Sequence, residues 1–121
     1  MWGGSFEQPK ILVVDDDSEV LEITAELVRS LGYSTVTASS AFEALDLLRR
    51  DNRIQALLSD VRMPGMDGEK LAVTARALRP DLQIVLVSGA NWPGRDEFSF
   101  LAKPYRVSDL ERALHSGVVT A

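Results

Sequence analysis

The chain contains no cysteine. Thiol nucleophiles, disulfides and thiolate metal sites are therefore excluded. Histidine is almost as scarce: His115 falls in the last helical stretch and reads as a surface residue. No apolar run approaches the length of a membrane span. The start of the chain, Met1 to Pro9, lacks both a positively charged opening and an apolar segment, so it is not a secretory signal. Basic residues are outnumbered, 13 against 18 acidic, giving a net charge of −5 and a pI near 4.8. That balance argues against nucleic acid as a direct partner and leaves room for a metal cation or a basic protein surface. Internal repeats and low-complexity stretches are also missing. A cytoplasmic location without a membrane is expected.

What is present is an ordinary globular composition, 45% hydrophobic and 26% charged over 121 residues, enough for one domain and not two. Met1 to Pro9, with Gly3, Gly4 and Ser5, reads as a flexible lead-in. The domain is expected over residues 10–117, with a short tail at 118–121.

The pattern is organised around the stretch Ala56 to Gly68. A short apolar run, Ala56 to Leu58, ends in Ser59-Asp60, and a turn with Pro64, Gly65 and Gly68 follows. Such a run between turn signals reads as a buried strand with Asp60 at its carboxyl end. Lys10 to Val14 is a second such run and ends in Asp15-Asp16-Asp17. Leu82 to Val87 is a third and ends in Ser88-Gly89. Phe98 to Leu101 is a short last strand before Lys103-Pro104. Tyr33 to Ala38 alternates, which suits an edge strand.

Helical spacing fills the gaps. Val20, Ile23, Leu27, Val28 and Leu31 mark a first helix, capped by Asp17 or Ser18 and ended by Gly32. Phe42, Leu45 and Leu48 mark a second, opened by a capping-box pattern from Ser40 to Glu43. Leu71, Ala75 and Leu78 mark a third, stopped by Pro80. Val107, Leu110 and Leu114 mark the last, to about Ser116. The interval Ser88 to Glu97 is too short for a normal crossover, which needs about ten to twelve residues. A loop with at most one helical turn is expected there.

Strands alternating with helices imply a parallel sheet with right-handed crossovers. With the three most apolar strands central, the pattern fits an α/β fold: a flavodoxin-like, doubly wound, five-stranded parallel sheet of order 2-1-3-4-5, with helix 4 absent or reduced to a loop. Its switch point lies between strands one and three, which end in Asp15-Asp16 and Asp60.

That order brings Asp15, Asp16, Asp60, Ser88 and Lys103 to one sheet edge. Three carboxylates together raise one another's pKa. A divalent cation relieves this, and an all-oxygen site favours magnesium. Asp60 then reads as a nucleophile toward phosphorus, with Lys103 and Ser88 serving the charge on the transferred oxygens. Each residue also has a plainer structural reading: Asp60 as a turn cap, Asp15 to Asp17 as a helix start, Ser88 as a turn residue, Lys103 as a solvated surface lysine. Trp2 and Trp92 are assigned no chemistry.

Four motifs together resemble the receiver domain of two-component response regulators over roughly residues 10–117: Ile11 to Asp17, Ser59 to Gly68, Val87 to Ala90 and Phe100 to Tyr105. The resemblance implies a phosphoacceptor, Asp60, that takes a phosphoryl group from a histidine kinase or histidine phosphotransfer protein. It implies magnesium held by Asp16 and Asp60, with Asp15 acting through water and the Arg62 backbone carbonyl completing the protein ligands. Ser88 and Lys103 would contact the phosphoryl group, Phe100 would swing inward as a switch when Ser88 moves, and the Lys103-Pro104 bond would be cis. It implies no enzyme beyond autocatalytic phosphoryl acceptance and autodephosphorylation, and a monomer or weak dimer. Three departures stand out: Arg62 where chemotaxis-type receivers often carry Asn or Asp, Ser88 where Thr is commoner, and a Ser88–Lys103 interval shorter than the family pattern. A stand-alone regulator and a piece of a hybrid kinase both fit this pattern. Two other readings stay open. One is a pseudo-receiver that binds a partner without phosphorylation. The other is a haloacid-dehalogenase-like phosphatase using Asp15 of the Asp15-Asp16-Asp17 run as nucleophile.

Overall fold

The apolar runs pair side by side, and the helices between them cover both faces. The computed structural model describes residues 9–89 and 98–118. In chain order the elements are β1 (Lys10–Val14), α1 (Ser18–Ser30), β2 (Ser34–Ala38), α2 (Ala41–Arg50), β3 (Ile54–Asp60), α3 (Gly68–Leu78), β4 (Gln83–Ser88), β5 (Ser99–Ala102) and α4 (Val107–Val118). All strand pairs are parallel, in the order β2-β1-β3-β4-β5. This is the flavodoxin-like doubly wound sheet expected from the sequence. Among the described residues β4 is followed directly by β5. The loop expected over Ser88 to Glu97 falls mostly on residues 90–97, which lie outside the described residues, as do most of the two expected tails.

The two sheet faces have separate cores because strand side chains alternate. Leu12, Val14, Leu57, Ile84 and Leu86 pack with α2 and α3. Ile11, Val13, Leu58, Val85 and Val87 pack with Val28 of α1 and Leu110 and Leu114 of α4. β1, β3 and β4 are buried on both faces, which explains their continuous apolar character. β2, at the edge, is only half-buried over most of its length.

The helix starts follow their capping chemistry. Asp17 Oδ1 accepts the N–H groups of Glu19 and Val20 at 3.0 and 3.2 Å. Ser40 Oγ accepts the Glu43 N–H at 3.1 Å, and Asp67 Oδ1 accepts the Lys70 N–H at 2.8 Å. The capping box of α2 is offset by one residue. The Glu43 carboxylate accepts from the N–H and hydroxyl of Ser39, at 2.9 and 3.2 Å, rather than from Ser40. Gly32, with φ of 101°, ends α1 as expected.

The buried stripes of the four helices differ in part from those expected. Phe42 is 64% exposed and Ile23 62% exposed; α1 buries Ala25 beside the expected Val28, and α2 buries Ala41 and Ala44 beside the expected Leu45 and Leu48. Leu78 of α3 and Val107 of α4 are also exposed, at 40% and 46%. Small alanines face the sheet because they let the helix axis approach it closely, which turns some large residues outward. Leu45→Ala is expected to cost about 2–5 kcal/mol, and Phe42→Ser no more than about 0.5 kcal/mol, measured as shifts in urea midpoint.

The amino edge of the sheet is closed by charge-assisted bonds. Lys10 Nζ donates to Asp51 Oδ2 at 2.6 Å, with the two side chains only 19% and 20% exposed. The N–H and Nε of Arg53 donate to Asp51 Oδ1 at 3.0 and 3.2 Å. Lys10 first, then the Arg53 N–H groups, hold the Asp51 carboxyl well below the usual carboxylate range. A carboxyl depressed in the folded state adds stability that is present above its unfolded pKa, near 3.9, and lost as the pH falls below it. Asp51→Asn should therefore lower the urea midpoint at pH 6 by about 1 kcal/mol equivalent, and the gap from wild type should shrink as the pH is taken below about 4.

Candidate functional site

Strand register assembles the site. β1 and β3 pair Val14 with Ser59, so Asp15 follows beside Asp60. β3 and β4 pair Asp60 with Val87, which places Ser88 one step beyond. β4 and β5 pair Ser88 with Ala102, which places Lys103 one step further. The Lys103 N–H donates to the Ser88 carbonyl at 2.9 Å, continuing the ladder past β5.

Alternation decides which side chains share a face. Asp60 continues the row of Ala56 and Leu58; Asp15 continues Ile11 and Val13; Lys103 continues Leu101. All three rows belong to the face covered by α1 and α4. Ser88 continues the row of Ile84 and Leu86, on the other face.

Carboxylate oxygens of Asp15, Asp16 and Asp60 lie within 4.8 Å of one another. Lys103 Nζ stands 3.3 Å from Asp60 Oδ1. Asp15 is buried, Asp60 half-buried and Asp16 exposed, so the triad opens outward to solvent. Ser88 is buried at 3% exposure. Arg62 is exposed, and with Asp60, Ser88, Gly89 and Lys103 it lines an open cleft of about 360 Å³. The Lys103-Pro104 bond is cis. Phe100 lies on β5 at 38% exposure, and His115 is exposed.

Burial is the main reason the Asp15 carboxyl is pushed above its ordinary value. The Asp17 N–H, donating to Asp15 Oδ1 at 2.9 Å, opposes this. The Asp60 charge raises it further, the Lys103 ammonium lowers it, and Asp16 adds a smaller push upward.

Four residues contribute here in ways that the sequence pattern did not assign. Thr24 and Tyr105 line a cavity of about 40 Å³ together with Asp15, Asp60 and Lys103; Thr24 lies outside the motifs, and Tyr105 closes the last of them without an assigned role. The Ser59 hydroxyl donates to the Asp60 carbonyl at 3.0 Å. Gly68, expected within a turn, is instead the first residue of α3.

The doubly wound sheet, with an acidic triad and a lysine gathered where its strand order reverses, defines a class of α/β domain whose working edge is anionic and paired with one cation. Residues 11–115 match the Response regulator receiver domain family, and the chain belongs to it. It is 34% identical over 110 residues to the two-component response regulator ARR12 of Arabidopsis thaliana, covering 84% of this chain and 18% of that protein. It is 32% identical over 108 residues to the sensor kinase CckA of Brucella abortus, covering 83% of this chain and 11% of that protein. The solved structure of a response regulator receiver domain protein from Clostridium thermocellum superposes with a TM-score of 0.83 at 27% identity, covering 89% of this chain and 92% of that one. The chain thus spans a small part of the length of these curated relatives. No described helix is long and apolar enough to cross a membrane.

A carboxyl raised in the folded state is a penalty on stability at neutral pH when no cation is bound, and the penalty disappears once the pH falls below the unfolded value. Asp15→Asn keeps an oxygen to accept the Asp17 N–H but removes the charge. In chelator-treated protein it should raise the urea midpoint at pH 7, with the gain fading below about pH 4; an unchanged midpoint at pH 7 would contradict the electrostatic account.

Proposed function

We propose that the protein is a phosphoacceptor signalling module of a two-component phosphorelay, with Asp60 as the acceptor and residues 10–117 as the working unit. One observation carries this reading. Asp60 ends the central strand within reach of two further carboxylates and 3.3 Å from a lysine ammonium. A nucleophilic carboxylate, a cation-holding pair and a fixed positive charge are the groups that phosphoryl transfer to an aspartate needs.

In the reaction, an Asp60 Oδ attacks phosphorus. The P–N bond to the donor histidine breaks, its electron pair leaves with the imidazole nitrogen, and a mixed carboxylic–phosphoric anhydride forms on Asp60. The Lys103 ammonium neutralises charge on the transferred oxygens, and the Ser88 hydroxyl donates to one of them. Charge held ready in place lowers the barrier without reorganisation at the moment of transfer.

The donor set fits magnesium. All the side-chain ligands are oxygens, the three carboxylates lie within 4.8 Å of one another, and the buried member is pushed toward its protonated form. Asp15, Asp16 and Asp60, with the Arg62 backbone carbonyl, would hold the ion. When bound it offsets the carboxylate repulsion and draws a phosphoryl group to the edge. Ser88 and Phe100 form the switch in this reading: Ser88 moves toward the phosphoryl group, and Phe100, exposed on the edge strand, follows. The donor is a histidine kinase or histidine phosphotransfer protein, and one of the relatives being a sensor kinase supports that side of the relay. The module turns over no substrate beyond its own phosphorylation and dephosphorylation.

The test is phosphoryl incorporation from acetyl phosphate or a phosphohistidine donor, with and without Mg2+. Wild type should label only with Mg2+, and Asp60→Asn not at all. Lys103→Met should slow labelling by about 10²- to 10³-fold without abolishing Mg2+ binding. Equal labelling of Asp60→Asn and wild type would reject Asp60 as acceptor.

A further inference from the structure

Gly68 opens α3, yet nothing in its backbone calls for glycine. Among the described residues, positive φ occurs only at Gly32 and Gly65, so residue 68 has a φ open to any L-residue. Alanine is also the better helix former. The requirement at residue 68 is for space. An added Cβ would overlap the Asp60 carbonyl oxygen outright and would meet the Asp60 carbonyl carbon and the Val61 Cα at 2.9 Å. These are main-chain atoms at a strand end and cannot rotate aside as a side chain would.

The close approach is fastened on both sides. The Gly68 N–H donates to the Val61 carbonyl at 2.7 Å, and the Val61 N–H donates to the Val87 carbonyl at 2.9 Å. The far end of α3 is held as well. The Arg79 guanidinium donates to the carbonyls of Asp51, Asn52 and Ile54 at 3.4, 3.3 and 2.6 Å. Arg76 donates to the Leu82 carbonyl at 3.1 Å and lies 5.5 Å from the centre of the Phe98 ring. Between these ends Leu71, Ala72 and Ala75 are fully buried. A helix held in this way does not retreat, so bulk added at residue 68 moves the Asp60–Val61 peptide instead.

We propose that Gly68 is a positioning residue for Asp60: the missing side chain lets α3 seat directly on the Asp60–Val61 peptide and so sets where the Asp60 carboxylate stands relative to Asp15, Asp16 and Lys103. This rests on the reading of Asp60 as the working carboxylate.

The test compares Gly68→Ala with Gly32→Ala in the full chain. Gly32 has a φ of +101° and nothing within 4 Å of an added Cβ. Its substitution strains the backbone far from the site, without crowding it, and serves as a control for structural damage. Mg2+ alone is the probe, its dissociation constant measured by calorimetry, with thermal unfolding recorded alongside. Wild type and Gly32→Ala should bind alike although Gly32→Ala melts lower. Gly68→Ala should bind about tenfold or more weakly. Wild-type affinity in a folded Gly68→Ala overturns the proposal. If Gly68→Ala is unfolded in plain buffer, all three chains are titrated in trimethylamine N-oxide, which favours the compact state. Failure to fold even there makes Gly68 a folding requirement and likewise overturns the positioning role. A wild type that binds no Mg2+ rejects the cation reading instead. Crystal structures then decide: an Asp60–Lys103 separation opened from 3.3 Å to beyond ion-pair range in Gly68→Ala supports the proposal, and an unchanged one overturns it.

Discussion

Three carboxylates cannot stay within 4.8 Å of one another unless something stronger holds them there. Two unit charges at that distance repel by about 3–4 kcal/mol at an effective dielectric of 20. The restraint is strand register. Asp15 and Asp60 end adjacent strands whose apolar side chains Leu12, Val13, Leu57 and Leu58 are at most 1% exposed. Each such apolar side chain contributes about 1.5–3 kcal/mol on burial, and a slip of one residue would turn every one of them to the wrong face. The repulsion is too small to move the register, so the acids stay where the strands end. Lys103 offsets part of it, and a divalent cation would offset more.

The opposite edge of the sheet shows the contrast. There Lys10, Asp51 and Arg53 form a compact group of opposite charges, and Arg79 donates to the carbonyls of Asp51 and Asn52 in the loop after α2 and of Ile54 at the start of β3. Buried carbonyls need partners, and this arginine supplies them where helix and strand ends leave a gap. One edge is thus stabilised by attraction and the other strained by like charge. That division is what a working site on a rigid base requires, since stability surrendered at the site must be supplied elsewhere.

Much of the fold was legible because hydrophobic pattern and burial coincide in β1, β3 and β4, where both faces are covered. Asp15, Asp16, Asp60, Ser88 and Lys103 could be placed at one edge because each follows an apolar run, and strand ends are easy to read. The helix faces were less legible. Phe42 and Ile23 look like core residues by hydropathy, while Ala25, Ala41 and Ala44 do not, yet close packing on a sheet favours the small side chain. The role of Gly68 was hidden for a different reason. A glycine chosen for a turn and one chosen for close approach are the same letter, and only the distance to the Asp60 backbone separates them. The small cavity lined by Thr24 and Tyr105 depends on three-dimensional neighbours that no spacing rule encodes.

The site has a fixed half and a yielding half, and the sheet order decides which is which. Asp15 and Asp60 sit on strands flanked on both sides, with α3 pressed onto the Asp60 main chain. Lys103 follows β5, an edge strand of only four residues, and its side chain is 38% exposed. A change of charge at Asp60 meets resistance from β1, β3 and α3 and little from β5. On the phosphoacceptor reading, the added charge therefore acts mainly on Lys103, Ser88 and the strand that carries Phe100. On that reading the acceptor would stay in place because its strand is central, and the response would travel outward because, among the described residues, β5 has one neighbouring strand and α4 to hold it.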